Sequence, residues 1–78
     1  MIRVQAYILI NTNIGVVDTA LAEIKKIEEV KDAYSITGPY DIIAFVESEN
    51  LSSLGSAVVQ KVQKVEGISK TLTCIIVE

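Results

Sequence analysis

Thr37-Gly38-Pro39-Tyr40-Asp41 gathers turn chemistry, an aromatic ring and an acid into five consecutive residues between two apolar runs. Gly38 can take a positive φ without steric cost, while Pro39 fixes its own φ and donates no hydrogen bond. The turn therefore holds one shape, with Tyr40 and Asp41 at the mouth of the strand that follows. A rigid corner carrying an acid and a ring suits contact with a small polar ligand; it also makes an ordinary hairpin connection. Ser69, Thr71 and Thr73 place three hydroxyls along the final strand, either as a half-exposed face or as donors and acceptors lining a cleft. Catalytic chemistry is poorly supplied. The chain has no histidine, and its single Cys74 lies in an apolar strand with no base to activate it, which reads as packed core. Glu28-Glu29 and the Glu47, Glu49 pair read as solvated helix-end and loop charges. Gly15 belongs to no phosphate-binding glycine run, and no metal or cofactor motif occurs, so none is expected.

The elements that must position these residues follow from periodicity. Ile2 to Asn11 alternates as a strand, with Ile2, Val4, Ala6, Ile8 and Ile10 on one face and Arg3, Gln5, Tyr7 and Leu9 on the other. Asn13 or Thr12 is placed to cap a helix beginning near Gly15, with Asp18 in its first turns. Val17, Ala20, Leu21, Ile24 and Ile27 then recur at helical spacing. Val30 to Thr37 is a second strand and Asp41 to Ser48 a third, in which Ile42, Ala44 and Val46 alternate against Ile43, Phe45 and Glu47. Ser48 or Asn50 can cap a second helix whose stripe is Leu51, Leu54, Val58, Val62 and Val65, stopped by Gly67. Ile68 to Val77 is the last strand, with Ile68, Leu72, Cys74 and Ile76 opposed to Ser69, Thr71, Thr73, Ile75 and Val77. The two halves repeat in cadence rather than residue by residue.

Strand, helix, strand, twice over, joined by a tight hairpin, predicts an α+β chain with the ferredoxin-like βαββαβ sandwich: a four-stranded antiparallel sheet with two helices on one face. The 78 residues make one domain. Half of them are apolar and mean hydropathy is +0.43, so the face that the helices leave bare carries aliphatic residues from every strand. No window approaches the roughly 18 consecutive apolar residues of a membrane helix, and no signal peptide is visible at the start. A second copy of the chain is the expected cover, giving a dimeric α+β barrel. Net charge is −3 and the seven basic residues are scattered, so no direct nucleic-acid binding is expected. One cysteine without a partner fits a reducing cytoplasm.

With that plan, Thr37-Gly38-Pro39-Tyr40-Asp41 and the closing Val65-Glu66-Gly67-Ile68-Ser69-Lys70-Thr71, the chain resembles the effector domain of the Lrp/AsnC family of transcription regulators, also called the RAM domain, over nearly its whole length. The resemblance implies a cytoplasmic, non-enzymatic module that binds an amino acid or related small molecule between protomers, with sheet-to-sheet homodimers joining into rings, often octamers. By position it implies ligand contacts from Thr37, Gly38, Pro39, Tyr40 and Asp41, and from Ser69 at the start of the last strand. Full-length members carry a helix-turn-helix domain, whereas this chain begins directly with the first strand and is expected to be a single effector domain over 1–78. Such a module could modulate transcription by co-assembling with full-length Lrp/AsnC regulators. A small monooxygenase-like enzyme on the same barrel, or a ligand-free structural adaptor, are the alternative readings.

Overall fold

Alternation along β1 (Val4–Thr12) drives Ala6, Ile8 and Ile10 fully into the interior, with Val4 packed at the margin. The computed structural model describes residues 3–77, with the backbone alone at position 57; the expected inward position of Ile2 lies outside the described residues. β2 (Val30–Ser35) buries Val30 and Ala33, and β3 (Ile42–Ser48) buries Ile42, Ala44, Val46 and Ser48. β4 (Ile68–Ile75) completes the sheet. The strand order is β2-β3-β1-β4 with every neighbouring pair antiparallel. Each half is a strand–helix–strand crossover, so the fold is the ferredoxin-like βαββαβ sandwich.

Helix α1 (Val17–Lys25) turns Ala20 and Ile24 into the core, with Val17, Leu21 and Ile27 packed beside them and Asp18 in its first turn. Its expected side-chain cap is absent. Val16 stands at the N-cap, and Asn13 contributes its backbone carbonyl, which accepts the Val16 N–H at 3.4 Å. Thr12 is held within β1 and cannot reach the helix start.

The second helix, α2, spans 51–63. Its cap is Asn50, whose Oδ1 accepts the Ser53 N–H at 2.7 Å, rather than Ser48, which is buried at the end of β3. Between its α-helical ends Leu51–Ser53 and Val59–Gln63, the segment Leu54–Val58 is π-helical, with the Val59 N–H donating to the Leu54 carbonyl. The stripe explains this. In an α-helix a four-residue step overshoots a full turn by about 40°, so the two steps from Leu54 to Val58 to Val62 would drift off the core. A π turn holds more than four residues, and its four-residue step falls short instead. One step of each kind cancels, and all three side chains are fully buried.

Both helices leave by the same device. The Ile27 N–H donates to Ile24 and the Val30 N–H to Ile27; the Val65 N–H donates to Val62 and the Ile68 N–H to Val65. Lys26-Ile27-Glu28-Glu29-Val30 and Lys64-Val65-Glu66-Gly67-Ile68 thus match as residues too. At Gly67, φ is +92°, and a Cβ built there would lie 2.6 Å from Val16 Cγ2. Its carbonyl accepts the Asn13 N–H at 2.8 Å. Glycine is needed at this stop both for its backbone and for the close approach of the two turns.

The β4 register corrects the sequence reading. Lys70 pairs with Asn11 but Ile68 pairs with Thr12, leaving Ser69 as an extra residue in a bulge. Ile68 therefore packs with the core rather than sharing a face with Leu72 and Cys74. Thr71 and Thr73, opposite Ile10 and Ile8, point to the helix side, and Ser69 is not aligned with them. A second bulge in β2 at Lys31 shifts its pairing with β3.

On the uncovered face, cross-strand partners form two rows, Tyr34-Ile43-Leu9-Leu72 and Asp32-Phe45-Tyr7-Cys74. The rings of Tyr7 and Phe45 sit 5.3 Å apart, tilted by 50°. Gln5 Nε2 donates to Glu47 Oε2 at 2.7 Å at one margin. Cys74 is exposed in this row, not packed in the core as its apolar neighbours suggested, because nothing in the single chain covers the face.

Candidate ligand-binding site

The β2–β3 hairpin is built from its ends inward. The strand stops at Ser35, two residues before the expected Thr37, because the Ile36 N–H closes the loop on the Asp41 carbonyl at 2.8 Å. Within it Gly38 adopts φ +141° with nothing within 4 Å of a would-be Cβ. Thr37, Gly38 and Pro39 are exposed, and Tyr40 and Asp41 are half-buried.

Asp41 anchors this corner to the sheet through its backbone and its carboxylate together. Its carbonyl takes Ile36, its N–H donates to the Ile10 carbonyl at 2.9 Å, and its Oδ2 accepts the Thr12 N–H at 2.9 Å. The Thr12 hydroxyl lies 3.4 Å from the same oxygen. The sequence pattern points Asp41 at a ligand and Thr12 at a helix cap; it does not pair the two. The signal was faint: a threonine closing a strand, 29 positions from the acid.

Thr12 also pairs with Ile68, next to the Ser69 bulge. The hairpin and Ser69 therefore lie at one end of the sheet, on either side of the last residues of β1. Beside Ser69 a crevice of about 210 Å³ is lined by Gln63, Ile68, Lys70 and Thr71, with Gln63 Nε2 donating to Thr71 Oγ1 at 3.2 Å. The corner offers backbone N–H groups, a carboxylate, a phenol ring and hydroxyls, which is equipment for holding a small polar molecule.

The sequence model of the Lrp/AsnC ligand binding domain matches residues 5–78. The chain belongs to this family. Among Lrp/AsnC relatives, the regulatory protein AsnC of Escherichia coli K12 is 32% identical over 60 residues, which span 77% of this chain and 40% of that protein's length. The solved structure of E. coli AsnC superposes with a TM-score of 0.88 at 29% identity, over 96% of this chain and 51% of its own. This Lrp/AsnC domain thus spans about half the length of that regulator. TTHA0845 from Thermus thermophilus superposes with a TM-score of 0.89 at 29% identity, over 96% of this chain and 94% of its own. The transcriptional regulator NMB0573 from Neisseria meningitidis, solved in complex with L-Met, shares the fold, with a TM-score of 0.84 at 16% identity over 96% of this chain and 50% of its own.

Two further features of the Lrp/AsnC domain bear on chemistry. Lys61 Nζ lies 3.0 Å from both carboxylate oxygens of Glu29, and this hydrogen bond holds the Glu29 carboxyl below its ordinary range. Among the described residues no three histidine, cysteine, aspartate or glutamate side chains gather to hold a metal ion, and no helix is long and apolar enough to cross a membrane.

Proposed function

We propose that this Lrp/AsnC domain is a regulatory module that senses an amino acid or a related small molecule and assembles into oligomers, without catalysing a reaction. The observation that carries the reading is the family match over 5–78 on a fold whose sheet face is apolar and bare. Two such faces closing on one another hide Tyr7, Leu9, Ile43, Phe45 and Leu72. Each Å² removed contributes about 25 cal/mol, and a stable interface takes about 800 Å² from each partner. Dimers then join into a larger ring, and the module acts on transcription by joining full-length regulators of its family.

The effector sits at the exposed hairpin, where a neighbouring protomer supplies the second wall. N–H groups near Gly38 and Tyr40 receive its carboxylate; Pro39 has none to give. Asp41 offers Oδ1 to the ammonium group while Oδ2 stays with Thr12. The Tyr40 ring covers the side chain, with Thr37 and Ser69 at the margins. L-Met on NMB0573 gives the chemical class a precedent within the fold.

Sedimentation at micromolar protomer concentration tests the assembly. A dimer or larger species insensitive to salt is expected, since apolar burial is not screened. A monomer refutes the oligomeric reading. A thermal-shift screen of the common amino acids tests sensing, and no stabilisation by any of them refutes the hairpin as their site.

A further inference from the structure

Ser48 is a buried polar residue, 2% exposed, at a position where the inward series Ile42, Ala44, Val46 calls for another apolar side chain. Its hydroxyl takes part in none of the side-chain hydrogen bonds among the described residues. No described side-chain atom is both sealed from solvent and unpartnered. The Ser48 oxygen therefore opens onto the space it lines, a crevice of about 270 Å³ at the end of the sheet opposite the hairpin.

The walls of this crevice carry both signs of charge. Glu29 is occupied by Lys61, and Lys31 Nζ donates to the Glu28 carbonyl at 3.3 Å. Arg3, Glu28 and Glu49 line the same hollow and form none of the ion pairs found among the described residues, with Ser53 in the first turn of α2. Guanidinium matches a carboxylate as a two-pronged donor, and the glutamates match a cation. A simple anion would meet the acids, and a simple cation would meet Arg3 and Lys31, which keeps its charge while bonded to a carbonyl.

We propose that this crevice binds a small molecule carrying both a carboxylate and an ammonium group. The carboxylate lies on Arg3 and the Ser48 hydroxyl, and the ammonium on Glu28 and Glu49. The site shares no residue with the hairpin and stands whether or not the hairpin binds an effector.

The test is an amide chemical-shift titration of the ¹⁵N-labelled 78-residue chain with glycine, with acetate and methylammonium as single-charge controls. Glycine should move the amides of 28–31 and 48–53 in saturable fashion, and each control should bind at least about ten-fold more weakly. Ser48→Ala, which removes one oxygen, should raise the glycine Kd about ten-fold or more, the equivalent of one hydrogen bond to a charged group. Arg3→Gln, at an exposed position that cannot unfold the core, should raise it about ten-fold or more. Shifts confined to 36–41 would support the hairpin and overturn this site. So would no movement at about 100 mM glycine, equal movement with acetate, or a Kd indifferent to both variants.

Discussion

Replacing Gly67 with alanine should destabilise the domain by roughly 2–5 kcal/mol, the sum of a backbone cost and a steric one. The backbone part arises because φ is +92°, where an L side chain costs about 1–2 kcal/mol. The steric part arises because the new Cβ would stand 2.6 Å from Val16 Cγ2. The turn cannot simply retreat, since the Gly67 carbonyl is held by the Asn13 N–H at 2.8 Å. Overpacking of this kind costs about 1–3 kcal/mol. Gly15 separates the two parts: its φ is +87° with nothing within 4 Å, so Gly15→Ala should lose the backbone part alone. Val16→Ala combined with Gly67→Ala should recover the steric part, giving a favourable coupling in a double-mutant cycle. Urea unfolding followed by far-UV circular dichroism, at one fixed protomer concentration, measures all the variants. Equal losses at Gly15 and Gly67, or no coupling to Val16, would refute the steric argument.

Gly55→Ala should act in the opposite sense, because Gly55 is helical, exposed and open around its Cα; a gain of about 0.5–1 kcal/mol in the same unfolding assay is expected. Asp41→Asn should keep an acceptor for Thr12 and preserve stability, whereas Asp41→Ala should lose about 1 kcal/mol or more by stranding that N–H. If Asp41 also meets an ammonium group, both variants lose amino-acid binding in calorimetry, and an Asn variant that binds normally would clear it of that role. The Glu29–Lys61 pair should stabilise the fold above the ordinary glutamate pKa of about 4.3 and cease to do so as pH falls through the depressed value in the folded state. Lys61 is half exposed, so Lys61→Met should cost at most about 1 kcal/mol at pH 7, with the gap to wild type closing in acid unfolding curves.

The fold was readable because each central strand obeys its period without exception. Ala6, Ile8 and Ile10 alternate with Tyr7 and Leu9, and Ile42, Ala44 and Val46 alternate with Ile43 and Phe45. What escaped were single-residue irregularities, which leave no trace in a periodic pattern. The bulge at Ser69 moved Ile68 to the other face and took Ser69 out of line with Thr71 and Thr73. The π segment was invisible because Leu54, Val58 and Val62 read as an acceptable α-helical stripe. The hairpin was found from Gly38 and Pro39, whose backbone preferences are local. The anchoring of Asp41 on Thr12 was not, since a bond between residues 29 apart depends on the finished sheet. Ser48 or Asn50 reads as the cap of the second helix; the structure gives that role to Asn50 and leaves Ser48 buried beside a crevice.

Both outer strands of the sheet are interrupted, β2 at Lys31 and β4 at Ser69, while β1 and β3 in the centre pair without a break. Charged Lys31, Asp32 and Lys70 stand at the same places. An edge with a misplaced residue and a charge is a poor template for another chain's backbone. The domain therefore exposes a broad apolar face yet blocks the ladder-by-ladder growth that leads to fibrils. In the proposed assembly, copies would add to one another face to face and stop there, because neither edge offers a regular ladder for further growth.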